Sequence, residues 1–329
     1  MKKIIVVLGP TASGKSELAI KLAKKFDGEI ISADSRQVYK GLDIGTGKVT
    51  KKEMKGIPHY LLDVASPKRR FSVAQYRKLA LKAINKIFKK GKIPILCGGT
   101  GFYIQAVVDG IVIPEVPPDW KLRKKLEKKS VKQLYQILRK LDPKRAKTIE
   151  RENPRRLIRA IEIVLKTKKA VPILKKNPLP YPVLMIGIKK PLEELKKRIK
   201  KRFLKWLKQG LIKEVKNLKK SGLSWKRIED FGIHYQVVAQ YLQNKLNKKE
   251  MIEQAIKKIQ DYAKRQLTWF KREKRIFWIE NYREAEKLIK NFLKNEIGSQ
   301  KKSLSKDLGY CGRVRELKRP FNQSHRPQR

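Results

Sequence analysis

Lys15 and Ser16, closing the run Gly9-Pro10-Thr11-Ala12-Ser13-Gly14-Lys15-Ser16, are the residues whose types and spacing most directly imply chemistry. The spacing fits G-x-x-x-x-G-K-[ST], the phosphate-binding P-loop. Glycines let a backbone curl until successive N–H groups point at one anion. The start of a helix adds partial positive charge at the same place. Lys15 brings a full charge to a terminal phosphate, and the Ser16 hydroxyl can hold Mg2+. The run therefore reads as a cradle for a polyphosphate or diphosphate. It leaves open what is done with that group.

The elements around the run must position it. Ile4-Ile5-Val6-Val7-Leu8 reads as a buried strand, and Leu18, Leu22, Ala23 and Phe26 give a helical stripe. Glu29 to Asp34 is a second strand that ends in an acid, followed by Ser35, Arg36, Gln37 and Tyr39. Strand ends at this edge of an α/β sheet face the ligand crevice, which brings Asp34 toward the loop. Asp34 can equally serve as a turn cap. A Gly-punctuated loop spans Gly41 to Gly47, and Pro58 to Val64 reads as a third strand. Ser72 can cap the next helix, and Gly91 stops it. Ile93 to Cys97 is a fourth strand with no acid at its end, unlike many NTPases. Gly98-Gly99-Thr100-Gly101 follows; the glycines permit close backbone approach, and Thr100 offers either a hydroxyl or a helix cap.

From Trp120 to Thr167 the texture changes to basic helices without strand-like runs. Asn153-Pro154 starts one of these helices, with Leu157, Ile158, Ile161, Val164 and Leu165 apolar and Arg155, Arg156 and Arg159 opposite. Arg155 and Arg159 stand one turn apart, a spacing that suits phosphates or a base edge and also an ordinary solvated face. Val183 to Ile188 returns to a buried parallel-type strand. A long helix then carries Arg198 and Arg202, Ile276 to Ile279 reads as an edge strand, and a last helix covers Glu284 to Asn295. The fold class is α/β: a P-loop NTPase-like parallel sheet flanked by helices, with an all-helical insertion. The expected domains are a core at 1–115, a basic helical insertion at 116–180, the resumed core at 181–297, and a disordered basic tail at 298–329.

The 329 residues carry a net charge of +53, so a polyanion such as nucleic acid is the natural partner, unless the lysines mainly reflect genome composition. Two cysteines, Cys97 and Cys311, and three scattered histidines form neither a disulfide framework nor a metal cluster. The chain opens on a strand rather than a signal peptide, and no apolar run reaches the roughly 18 residues of a membrane span. A reduced cytoplasm and no membrane are the expectation.

The motif set as a whole is specific. The run at 9–16, Ser-Ala-Asp-Ser-Arg-Gln-Val-Tyr at 32–39, Asp-Ile-Gly-Thr-Gly-Lys at 43–48, Gly-Gly-Thr-Gly-Phe-Tyr at 98–103, Asn-Pro-Arg-Arg-Leu-Ile-Arg-Ala-Ile-Glu at 153–162 and Lys-Arg-Gln-Leu-Thr-Trp at 264–269 occur in that order. In this the chain closely resembles the tRNA dimethylallyltransferases, also called tRNA isopentenyltransferases, over about residues 3 to 280. The resemblance implies transfer of a dimethylallyl group from dimethylallyl diphosphate to N6 of the adenosine at position 37 of tRNAs that read codons starting with U. It implies that Gly9, Pro10, Thr11, Ala12, Ser13, Gly14, Lys15 and Ser16 hold the diphosphate, with Mg2+ at Ser16. Asp34 would be the general base, helped by Lys15, Thr11 and Arg202. Asp34, Ser35, Arg36, Gln37 and Thr100 would meet the flipped adenosine, with Ser35 and Gln37 reading the base. Arg123, Arg155, Arg156, Leu157, Ile158 and Arg159 would meet the anticodon stem-loop. A monomer is implied.

Two departures stand out. Many relatives have Gln where Arg155 stands, and Phe231 to Gln236 replaces a more usual Gly-Tyr-Lys or Gly-Tyr-Arg phrase. The residues alone also permit a P-loop kinase binding ATP in the same loop, or a non-catalytic RNA-binding protein. The intact Lys15, Ser16 and Asp34 argue against the second of these.

Overall fold

The computed structural model describes residues 2–112, 114, 116–172 and 175–294. The basic tail expected at 298–329 lies outside the described residues. In chain order the elements begin β1 Ile4–Leu8, α1 Lys15–Lys25, β2 Gly28–Ser32, α2 Lys51–Met54, β3 His59–Tyr60, α3 Val73–Lys89, β4 Ile93–Gly98 and α4 Gly101–Val108. The helical unit follows as α5 Trp120–Leu126, α6 Val131–Leu141, α7 Pro143–Thr148 and α8 Pro154–Thr167. Then come β5 Val183–Ile188, α9 Leu192–Lys208, α10 Leu211–Lys220, α11 Trp225–Glu229, α12 Ile233–Leu242, α13 Lys248–Lys271, β6 Ile276–Ile279 and α14 Tyr282–Lys294.

The strands form one six-stranded sheet in the order β3-β2-β4-β1-β5-β6, and every pairing is parallel. All five residues of β1 are buried, which is why the strand reads as an unbroken apolar run rather than an alternation. Its residues still alternate between faces. Ile4, Val6 and Leu8 join the larger core with α3, α4 and α9 to α13. Ile5 and Val7 join a second core under α1 and α14. Register aligns the strand ends: Leu8 sits opposite Gly98 and Gly187, and Ser32 opposite Cys97. The loops after β1, β2 and β4 therefore emerge side by side at one sheet edge. Gly98 is what lets β2 and β4 close there, since a Cβ on it would stand 2.2 Å from the Ala33 carbonyl oxygen.

Helices α5 to α8 enclose a separate apolar cluster that includes Leu126, Leu134, Leu138, Leu157 and Ile161. The chain enters and leaves this unit through adjacent segments. Ile111 bridges Lys176 antiparallel, and the Asn177 and Leu179 N–H groups donate to the Gly110 and Val108 carbonyls at 3.1 Å each.

The third strand is shorter than the sequence suggests. Only His59 and Tyr60 pair, because Leu61 and Asp63 take positive φ angles of 66° and 57°. The segment turns back instead: Asp63 N–H donates to the Gln37 carbonyl at 3.2 Å and Ala65 N–H to that of Val38 at 2.8 Å. What reads as strand is a brace for the turn after Asp34.

Candidate active site

The P-loop leaves β1 at Leu8 and enters α1 through Gly14, whose φ of 93° is the left-handed conformation that suits glycine. The Ser13 hydroxyl is buried and has no partner. A buried orphan of this kind at the mouth of a P-loop fits a ligand oxygen. Lys15 Nζ donates to the Pro10 carbonyl at 3.3 Å, and burial draws its pKa below the usual lysine value.

Arg202 reaches across from α9. Its Nη2 donates to Thr11 Oγ1, and its guanidinium lies 4.7 Å from the centre of the Trp206 ring. Burial brings its pKa down to about 10, against the opposing pull of the Asp34 charge. Two cations thus converge on the loop at an energetic cost that an anion would relieve. A cavity of about 990 Å3 opens beside them, and eight cationic side chains against three acidic ones line it. That balance selects an anionic occupant.

Asp34 follows β2. Its Oδ1 accepts the N–H groups of Arg36 at 2.8 Å and Gln37 at 3.4 Å. This is an Asx-type turn, so the capping role and a place beside the loop hold together. Lys15, Cys97, Tyr76 and Arg202 all feel the Asp34 charge. Thr100 occupies the N-cap position of α4 without capping it; its Oγ1 accepts from Ser35 N–H at 3.1 Å and ties the β4 loop to the β2 loop. Arg36, half-buried, reaches within 3.7 Å of where a Cβ on Gly232 would lie.

Several of the residues expected to meet RNA have partners within the protein. Gln37 is engaged within the protein: its Oε1 accepts from Ser32 Oγ at 2.9 Å, and its Nε2 donates to the Thr46 and Gly47 carbonyls at 3.4 and 3.2 Å. Leu157 and Ile158 are buried in the helical unit, with their side chains in its core. Arg123 and Arg159 both grip the buried Glu162, Arg123 through two bonds at 2.8 and 2.6 Å and Arg159 through one at 2.5 Å. Arg159 also donates to the Val116 carbonyl at 2.9 Å. Both guanidiniums thus brace the unit through one buried carboxylate. Arg155 and Arg156 remain exposed, with 84% and 52% of their side-chain surface open.

Three further positions bear on the geometry of the site and were not singled out from the sequence. Gln266 on α13 is buried, accepts the Thr11 N–H at 2.8 Å and donates to the Gly99 carbonyl at 2.8 Å, so one amide ties the P-loop to the β4 loop. Its signal was a polar residue on the apolar face that carries Ile259, Ala263 and Phe270. Glu214 on α10 accepts from the N–H groups of Asp43, Ile44 and Gly45 at 3.0, 2.7 and 3.1 Å and from the Tyr235 hydroxyl at 2.8 Å. It fixes the Gly-punctuated loop that walls the cavity. His234 packs edge-on to Trp206 at 4.9 Å, has a buried Nε2 without a partner, and is pushed by burial, then by the Arg202 charge, down to about 3.

Among the described residues no group of three His, Cys, Asp or Glu could hold a metal. Mg2+ ordinarily keeps waters and uses substrate phosphates beside one or two protein oxygens, so Ser16 with a bound diphosphate fits it and a dedicated cage is not required. Among the described residues no helix is long and apolar enough to cross a membrane.

Comparison with known proteins points the same way. A family model described as IPP transferase matches residues 37–273. A tRNA dimethylallyltransferase of Acetivibrio thermocellus is 42% identical over 301 residues, covering 88% of this chain and 96% of that protein. A structure of the full-length tRNA isopentenylpyrophosphate transferase of Bacillus halodurans superposes with a TM-score of 0.66 at 36% identity, covering 89% of this chain and 96% of that one. A eukaryotic dimethylallyltransferase acting on tRNA superposes at 0.77 with 28% identity, covering 92% and 82%. With a six-stranded parallel sheet, an anion cradle and a helical insertion already in place, these matches make the chain a member of the IPP transferase family.

Proposed function

We propose that this protein is a tRNA dimethylallyltransferase, transferring the dimethylallyl group of dimethylallyl diphosphate to N6 of adenosine 37 beside the anticodon. The observation that carries the reading is the meeting of a cationic P-loop, made by Lys15 and Arg202, with the Asp34 turn at one sheet edge. The adenine amine attacks the allylic carbon, the carbon–oxygen bond to the diphosphate breaks, and the departing electron pair stays on oxygen. Lys15, Arg202 and the Ser13 hydroxyl meet the charge that develops there. Asp34 takes the N6 proton, its turn hydrogen bonds fixing the carboxylate. An exocyclic amine is a weak nucleophile, so positioning through Thr100 and Gln266 supplies much of the rate. Ser16 would hold Mg2+, which would supply further neutralisation of the diphosphate.

The exposed Arg155 and Arg156 are suited to the phosphates of the anticodon stem-loop. The enzyme works as a monomer in the cytoplasm, where unmodified tRNA is available. The test is incubation of the purified chain with dimethylallyl diphosphate, Mg2+ and an unmodified tRNA carrying A36 and A37. N6-(dimethylallyl)adenosine is the expected product; no product, together with phosphoryl transfer from ATP to a small acceptor, overturns the reading in favour of a kinase. Asp34→Ala should abolish turnover while tRNA affinity stays nearly unchanged, and surviving activity would remove Asp34 as the base.

A further inference from the structure

Resting on the RNA-modifying reading above, we infer that Trp120 is a stacking platform for an unpaired nucleobase of the RNA, with Arg70 and Arg155 beside it for the neighbouring phosphates. The chain has five tryptophans, and Trp120 is the one left exposed, at 47%. It stands at the first position of α5, where the chain enters the helical unit. Two guanidiniums lie against its ring, Arg70 at 4.5 Å and Arg123 at 4.9 Å from the ring centre. Arg70 belongs to the core and Arg123 to the helical unit, so the indole sits in the seam between them.

The site is held in place before any ligand arrives. Glu162 is buried, and its Oε1 accepts both Arg123 Nε at 2.8 Å and the Asp119 N–H at 2.6 Å. Asp119 in turn caps α5 by accepting from the Leu122 N–H at 3.0 Å. One buried carboxylate therefore holds the backbone just before Trp120, through Asp119, and the side chain of Arg123 just after it. Burial alone would raise the pKa of Glu162, but hydrogen bonds from Arg123 and Arg159 outweigh it and keep the group ionised. Burying a charge costs stability unless it is fully paired, and here the pairing fixes the base of an exposed ring.

Arg70 and Arg155 keep open surface near the indole. Arg70 is bound to Asp230 at 3.0 Å and has 46% of its side chain open. Arg155 approaches the same Asp230 only to 3.9 Å and is 84% open. A contact so long and so exposed holds Arg155 weakly, leaving it for a phosphate. An exposed aromatic flanked by guanidiniums in a strongly basic chain matches the chemistry of single-stranded RNA recognition, where the ring takes a base and the cations take the backbone. A preordered ring loses little freedom on binding, which favours affinity.

The test uses the full chain and an unmodified anticodon stem-loop whose loop carries 4-thiouridine. Irradiation should cross-link the loop to the peptide containing Trp120. Trp120→Ala should weaken hairpin affinity about tenfold, the loss expected for one stacked base. Trp120→Phe should retain affinity within about threefold, since a smaller ring still stacks. If Trp120→Ala unfolds, the Phe variant and the cross-link still decide. Affinity unchanged in Trp120→Ala, or cross-links confined to other peptides, overturns the platform while the enzymatic reading stands. A wild-type chain that neither binds nor prenylates the hairpin overturns both.

Discussion

His234 shows how a single side chain in this protein carries a measurable signature. Its pKa lies near 3 in the folded chain and near 6.5 when unfolded, because burial and the Arg202 charge oppose the imidazolium. Below pH 6.5 the unfolded state takes a proton that the native state refuses, so stability falls as pH drops toward 3. Urea titrations at pH 7 and pH 5 should show His234→Gln losing about 2 kcal/mol less than the parent across that interval. Arg202→Lys is expected to raise KM for dimethylallyl diphosphate and lower kcat, because an ammonium cannot both hold Thr11 and lie flat on Trp206; steady-state kinetics check it. At this scale the sequence was uneven as a guide. Lys15 and Asp34 were legible because fixed spacing ties them to strand ends. Gln266 was not, since its partners Thr11 and Gly99 lie more than 160 residues away along the chain, at separations of 255 and 167. The shared partner of Arg123 and Arg159 was hidden for a different reason: a basic residue on a helix face looks solvated until a buried acid such as Glu162 is seen beneath it.

Elements extend the same lesson. The runs that became β1, β4 and β5 were readable because strands buried on both faces are mostly apolar. The run after Pro58 imitated them, but its backbone has to turn at Leu61 to brace residues 37 and 38. Helix α10 holds the site's wall through Glu214, which satisfies three backbone N–H groups of a loop with no regular structure. Glu214→Ala should lower unfolding stability by about 3 kcal/mol, given that charge-assisted hydrogen bonds contribute about 1.5–3 kcal/mol each and water will replace some of them. Chemical denaturation measures the loss, and donor KM should rise with it as the cavity wall loosens. Gly98→Ala should be harsher, preventing accumulation of folded protein, because the new methyl group would meet backbone rather than a movable side chain.

For the molecule as a whole, charge dominates. With +53 on 329 residues, RNA affinity should fall steeply with salt, and Arg155→Ala should reduce the slope of log affinity against log salt by about one. Binding titrations from low to physiological salt check it; an unchanged slope returns Arg155 to an ordinary solvated residue. The architecture of sheet plus insertion was legible from the change of texture near Trp120 and the return of an apolar strand at Val183. How the insertion is attached was not, because the antiparallel pairing of Ile111 with Lys176 has no local pattern. That pairing has a consequence for folding and descent. The two ends of the helical unit meet, so the core experiences the whole unit as one closed loop, and loop-closure entropy rises only slowly with loop length. Lengthening, shortening or exchanging the unit therefore leaves the parallel sheet little altered. A lineage can recombine the helical unit as one cassette without disturbing the sheet edge it hangs beside.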